Sequence, residues 1–256
     1  AFLKKCHERG FIYKGVDVMP WCARCGTGLS HMEVSEGYRV VGHTSVFVKF
    51  PLRQASVDRL ESRSPTLESR SPKKLNTFLL VWTTTPWTLS SNVAAAVKPD
   101  MTYVKVRQGD QFYILGKPHF TNPRSQPLEG EEKKNAPPLM ALSAMFKNNG
   151  DFAIVEEFPG ERLVGLTYDG PFDQLDGAAE ARTAHQVIAW EEVTEKEGTG
   201  IVHIAPGCGS EDYHLGKALG LPRIAPLYED GTFRQDFGFL GGKRFDAVAD
   251  EVVASL

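Results

Sequence analysis

Phe78-Leu-Leu-Val-Trp82 is an unbroken apolar run that ends directly in Thr83-Thr-Thr85-Pro86. A short continuous apolar run of this kind reads as a strand buried on both faces, and such a strand needs neighbours and cover. Pro86 holds Thr85 extended and breaks the ladder at that point. Around this run the pattern is mostly strand. Ser45–Phe50 alternates, and Tyr103–Val106, Phe112–Leu115, Ile154–Val155, Val187–Trp190 and Ile201–Ile204 follow. Gly, Pro and Asp/Asn turns separate them. Helical windows are few. Residues 1–12 carry Phe2, Leu3 and Cys6 on one face with Gly10 as a stop; windows at 139–147, 210–219 and 243–256 complete the set. The expected body is α+β and β-rich, more barrel-like than doubly wound.

At 256 residues the chain can bury about 70–75% of its unfolded surface, so it needs neither disulfide nor metal to fold. With 29 basic and 32 acidic residues its net charge of −3 argues against a strongly basic nucleic-acid binder, although a local basic groove fits within such a total. No apolar run approaches the length of a membrane span. The first residues, AFLKKCHERG, carry charges where a signal peptide needs its apolar centre, so a cytoplasmic protein is expected. Both ends read as cut from a longer protein, because the helical patterns at either end start and stop without caps. Leu60–Pro65 recurs letter for letter as Leu67–Pro72, and the polar stretch around it, 53–76, is expected as an exposed loop insertion. The Pro-bearing stretch 117–138 also reads as loop.

Cys22-Ala-Arg-Cys25 is a CxxC knuckle without a second CxxC or HxxxH in the chain. It could supply two of the four ligands of a structural zinc, serve as a redox pair, or be two reduced thiols in a turn. Two other stretches could carry chemistry. In Trp82–Asn92 a buried strand runs into a series of hydroxyls, a proline turn and an amide. Those threonines could equally satisfy local backbone groups at a strand end. In Gly198–Tyr213 a short strand ends at Pro206 and a Gly loop leads to Ser210, an expected N-cap, with Glu211 and Asp212 in the first helical turn. Acids there favour the helix dipole and need do nothing else. His203 shares a face with Ile201, as a core histidine would. Dinucleotide, P-loop, HExxH and GxSxG signatures are all absent.

Taken together, VWTTTPWTLSSNVAAAV and GTGIVHIAPGCGSEDY resemble the editing domain of class I isoleucyl-tRNA synthetases. YKGVDVMPWCARCGTGLSHMEV, HTSVFVKFPL and FPGERLVGLTYDGPF extend the resemblance over nearly all the chain. The triple Thr followed by Pro-Trp looks like the isoleucyl branch, since valyl and leucyl relatives usually carry Arg at the third Thr. The resemblance implies an excised fragment: an editing domain over 41–230, with 1–40 and 231–256 as connectors to a missing catalytic domain. It implies hydrolysis of mischarged Val-tRNA(Ile), with the acceptor end of tRNA(Ile) as partner and no cofactor for editing. A structural zinc would be completed outside this chain. A monomer with no membrane partner is the default. A tRNA-end scaffold without turnover and a zinc-dependent hydrolase are the competing expectations.

Carried over position by position, the resemblance implies that Asp212 anchors the substrate ammonium. His203 would wall the side-chain pocket and contact the terminal ribose. Thr83, Thr84 and Thr85 would line the pocket, with Thr85 nearest the ester and able to orient water. Asn92 would hold the ester or ribose, and Trp82 with Gly207 and Gly209 would shape the adenosine end. Cys208 stands where relatives often carry Phe or His.

Overall fold

The computed structural model describes residues 1–37, 39, 44–64, 76–123 and 140–256. Two compact units divide near residue 38. The first contains helix α1 (Phe2–Glu8), the hairpin strands β1 (Trp21–Cys22) and β2 (Thr27–Gly28), and helix α2 (His31–Glu36). Ser30 caps α2 through a capping box in which its hydroxyl accepts from the Glu33 N–H and the Glu33 carboxylate accepts from the Ser30 N–H.

The second unit is mixed α and β, as the patterning implied, but its strands form two open sheets. No closed barrel is present among the described residues. Five strands run in the order β3 (Val46–Pro51), β4 (Asn76–Thr83), β7 (Gln111–Gly116), β6 (Thr102–Gln108) and β8 (Phe152–Pro159). The expected buried strand is β4. It lies inside this sheet, antiparallel to β3 and parallel to β7, with Leu79 and Val81 fully buried. Three strands form the other sheet in the order β10 (Ile201–Ile204), β5 (Ala94–Val97) and β9 (Gln186–Ala189). β5 has no solvent exposure at any position, and its alanines leave room for close neighbours. Alanine favours helices over strands, so propensity gave no signal for β5. The sheets are tied together where the Tyr103 hydroxyl donates to the Gly200 carbonyl (2.7 Å) and the Gly116 N–H to the Thr199 carbonyl (2.8 Å).

Two of the expected loops begin as helix. The stretch 53–76 is not simply a loop, because helix α3 (Gln54–Ser62) occupies its start and buries Val57 and Leu60 on one side. That i,i+3 pair was the available signal, obscured by the surrounding Arg and Ser. α3 is tied to the sheet by Lys105, whose ammonium is wholly buried, 3.3 Å from Glu61 Oε1 and over the Phe112 ring. The second copy of the repeat lies outside the described residues. The segment 231–256, expected as a return connector, packs into the second unit. Phe233, Phe237, Leu240, Val248 and Val252 are buried in the main core, and helix α7 is confined to Ala249–Ala254. Residues 117–138 begin with a short helix, α4 (Lys117–Thr121), and most of the remainder lies outside the described residues. Helix α5 (Leu142–Asn148) covers part of the window at 139–147. Helix α6 (Ser210–Leu219) ends on left-handed Gly220 as expected, although Gly209 rather than Ser210 is its N-cap. Among the described residues no helix is long and apolar enough to cross a membrane.

Candidate active site

Where β4 ends, the chain turns into a 3-10 segment, Pro86–Ser91. Proline at its first position suits the fixed φ of that ring. The segment is pinned by Trp87, whose ring packs against Phe245 (5.4 Å) and edge-on to Phe233 (6.5 Å). The i,i+3 spacing brings Thr88 over Thr85. The Thr85 carbonyl accepts both the Thr88 N–H (3.0 Å) and the Thr88 hydroxyl (2.8 Å).

From there a chain of hydroxyls extends in both directions. Thr88 Oγ1 lies 3.2 Å from Thr85 Oγ1, which lies 3.3 Å from Thr83 Oγ1. The Thr83 oxygen also accepts the Thr85 N–H (3.1 Å). On the other side Thr88 Oγ1 meets His203 Nε2 at 2.9 Å. Thr88 was not singled out from the sequence; its signal was the Thr-x-x-Thr spacing across a proline turn. The structural reading of the threonines therefore holds in part: Thr83 and Thr88 do serve the backbone. Thr85 is exposed and Thr84 half-buried, so their hydroxyls remain within reach of solvent.

A groove of about 360 Å³ opens at this strand end. Trp82, Thr83, Thr84, Thr85 and His203 line it, together with Trp190, Glu192, Glu197 and the Gly198–Val202 backbone. Gly198 is left-handed (φ +71°), and a Cβ there would press on the Trp82 ring at 3.1 Å. Glycine at this position thus lets the loop seal against the indole. Among the described lining residues the charged side chains are the carboxylates of Glu192 and Glu197.

The other expected site residues lie outside the lining. Asn92 is buried, its amide donates to the Ala94 carbonyl (2.9 Å), and its oxygen accepts from the Tyr168 hydroxyl (2.7 Å). It braces the turn between the 3-10 segment and β5. Asp212 is half-buried, and its Oδ2 accepts the Ala205 N–H at 2.8 Å, two residues beyond His203. Burial pushes its carboxyl up from the usual range, the Ala205 bond opposes this, and Glu211 adds to the rise. Gly207 and Gly209 shape the loop between β10 and α6. Burial pushes the Cys208 thiol there up to about 12.

Burial alone lowers His203 to about 4 from its usual 6.5. The ring is therefore neutral at physiological pH. The unfolded chain binds this proton below pH 6.5 and the folded chain resists it down to about 4. His203 thus lends no penalty above pH 6.5, and stability falls as the pH drops from there through 4. The difference amounts to about 3 kcal/mol at pH 4. Denaturant unfolding of the protein and of His203→Gln, compared at pH 7 and pH 4, should show the extra loss only with the histidine present.

In the first unit, the Cys25 N–H points at Cys22 Sγ (3.3 Å), in a tight turn closed by Gly26 N–H to the Cys22 carbonyl (2.8 Å). A hydrogen bond from the Cys25 side chain lowers Cys22 and raises Cys25 correspondingly. The knuckle offers two thiol donors where a tetrahedral zinc takes four. Among the described residues no group of three or more potential ligands gathers, so they do not complete such a site.

A scan of protein-family models finds no match to this chain. Over 258 residues it is 34% identical to an isoleucine–tRNA ligase of Sulfolobus acidocaldarius, a match covering 100% of the chain and 21% of that protein. It is 35% identical over 229 residues to the isoleucine–tRNA ligase of Thermus thermophilus, covering 90% of the chain and 18% of that protein. The chain thus spans about a fifth of the length of the curated relatives it matches. Among solved structures, the editing domain of the P. knowlesi cytosolic leucyl-tRNA synthetase is similar with a TM-score of 0.47 and 16% identity, over 71% of this chain and 66% of that one.

Proposed function

The chain belongs with the isoleucine–tRNA ligases, as a segment matching about a fifth of their length, and on that footing we propose that it is their editing module and hydrolyses the ester of Val-tRNA(Ile). An activation site shaped for isoleucine gains only about 1–3 kcal/mol against valine, a magnitude that comes from these synthetases themselves. A second, smaller pocket that admits valine and rejects isoleucine by size supplies the remaining discrimination. The observation that carries this reading is the groove at the end of β4, where the consecutive Thr83, Thr84 and Thr85, the indoles of Trp82 and Trp190 and a neutral histidine line one wall system.

The substrate presents an ammonium, an ester carbonyl and a branched side chain. Asp212 is the anchor for the ammonium, and His203 with the threonine methyls is the wall for the side chain. Water adds to the ester carbonyl, the tetrahedral intermediate collapses, and the 3′-terminal ribose leaves as its hydroxyl. A histidine held to about 4 is a poor base at neutral pH. Thr85, exposed in the groove, therefore orients the water, and the proton passes to the departing ribose oxygen through the substrate's vicinal hydroxyl. The catalytic domain of the same polypeptide and the tRNA acceptor end are the partners this reading requires.

The carboxylates of Glu192 and Glu197 favour a cationic or neutral ligand end over phosphate in the groove. That speaks for an ester site over a module that only grips the tRNA backbone. Deacylation of Val-tRNA(Ile) and Ile-tRNA(Ile) should differ by at least tenfold in favour of valine. Equal rates would defeat the size sieve, and tRNA binding without any cleavage would reduce the chain to a scaffold.

A further inference from the structure

A cavity of about 480 Å³ lies outside the groove, on a hairpin that carries Tyr228 and Arg234. Leu227 and Phe233 form the antiparallel bridge of this hairpin and pack on the core, Phe233 without solvent exposure. The Tyr228 N–H donates to the Thr232 carbonyl (2.8 Å) and the Arg234 N–H to the Pro226 carbonyl (2.9 Å). That register sets Tyr228 and Arg234 diagonally across the two arms, about 7–8 Å apart, and both are exposed. One planar ring fits such a gap. The Tyr228 ring is 53% exposed. Arg234 is held flat, because its Nε and Nη2 donate to the two carboxylate oxygens of Asp236 (3.2 and 2.9 Å). The pair has little net charge, and its donors are spent on Asp236, but the guanidinium plane is a stacking surface. Glu229 and Asp230 stand in the adjoining turn and disfavour phosphate there. Gln235 adds an amide to the lining, able to donate and accept as a base edge requires.

The cavity also borders the loop that leaves the groove. Ala225 is part of its wall, and a Cβ on Gly207 would stand 2.9 Å from the Ala225 nitrogen. From His203, which lines the groove, the chain to Gly207 reaches at most about 14 Å. An extended single strand anchored in the groove covers that reach. We propose that Tyr228 and Arg234 clamp an unpaired base of the tRNA acceptor strand, upstream of the terminal adenosine whose ester lies in the groove. This rests on the editing reading for the identity of the ligand. Stacking, not charge, holds the base, so the clamp accepts more than one base type.

Two substrates separate the clamp from the groove: Val-tRNA(Ile), which carries the upstream bases, and the valyl ester of adenosine, which has none. With the whole chain, Tyr228→Ala should raise KM for Val-tRNA(Ile) about 5- to 100-fold and leave hydrolysis of valyl-adenosine unchanged. Tyr228→Phe keeps the ring and should behave as the native protein. Arg234→Lys keeps the charge but loses the plane, and should raise KM for the tRNA ester alone. Unchanged KM in Tyr228→Ala overturns the proposal, and so does an equal loss on both substrates, which would mark a structural role. Full tRNA-ester activity in Arg234→Lys would replace the two-sided clamp by a single ring and overturn it as stated. A native protein that cleaves neither ester fails the editing reading. The clamp is then read from binding of an unacylated CCA trinucleotide: weaker binding to Tyr228→Ala than to the native chain supports it, and equal binding overturns it.

Discussion

Replacing Asp212 by Asn is expected to cut hydrolysis of Val-tRNA(Ile) by about 10- to 100-fold while leaving the fold intact. The carboxylate sits in the first turn of α6, where an acid gains about 0.3–1 kcal/mol from the helix dipole and need have no further use. Geometry separates the two roles. Oδ2 takes the Ala205 N–H, which an asparagine oxygen also accepts, so the loop after β10 keeps its tie. Oδ1 takes no hydrogen bond among the described residues. Burial already disfavours the charged form, since the carboxyl is held above its usual range mainly by desolvation. A charge kept partly out of water without a cationic partner is a cost that a substrate ammonium would relieve. A hydrogen bond to a charged group is worth about 1.5–3 kcal/mol, which converts to the stated loss. The purely structural role predicts a small drop in stability and full activity. Full activity in Asp212→Asn would remove Asp212 from the substrate's reach.

Much of the second unit was readable because its signals are local. The apolar run at 78–82, the alternation at 45–50 and the Gly220 stop each encode their own element, and β4, β3 and the end of α6 follow them. What the sequence hid depends on distant partners. β5 is three alanines and a valine, strand-forming only because β9 and β10 flank it on either side. Closure into a barrel could not be judged from strand count, because it depends on which edges pair. Asn92 illustrates the same limit within the site. Its spacing from Thr85 is visible in the sequence, but its partners, the Ala94 carbonyl and the Tyr168 hydroxyl, come from the fold. Thr88, Trp190 and Glu192 became site residues only through the fold. The chain order gives no reason to place 190–203 beside 82–88 until β10 is seen next to β5 and the Gly198 loop against Trp82.

Gly207→Ala should be the most damaging single methyl that can be added to the site, with about 3 kcal/mol or more of stability lost. The loop from Ala205 to Gly209 crosses the segment at Ile224 with backbone against backbone. A Cβ on Gly207 would overlap the Ile224 carbonyl carbon and oxygen and sit 2.9 Å from the Ala225 nitrogen. Neither side has a rotamer to move, so one of the two chains must shift. Overpacking a tight contact costs about 1–3 kcal/mol even where side chains can give. For a unit of this size, such a loss lowers Tm by roughly 6–12 °C. Gly209→Ala provides the contrast. Its φ of −110° suits any residue, and its Cβ would meet only the end of the Asp212 side chain, Cγ at 3.1 Å and Oδ2 at 3.2 Å. That carboxylate can rotate, so the fold should hold while its bond to Ala205 is disturbed and ester hydrolysis falls. Thermal unfolding of the two variants followed by deacylation assays distinguishes the cases. A Gly207→Ala protein that melts with the parent would show that the 205–209 loop does not press on Ile224, and the path leading from His203 to Asp212 would then have to be drawn differently.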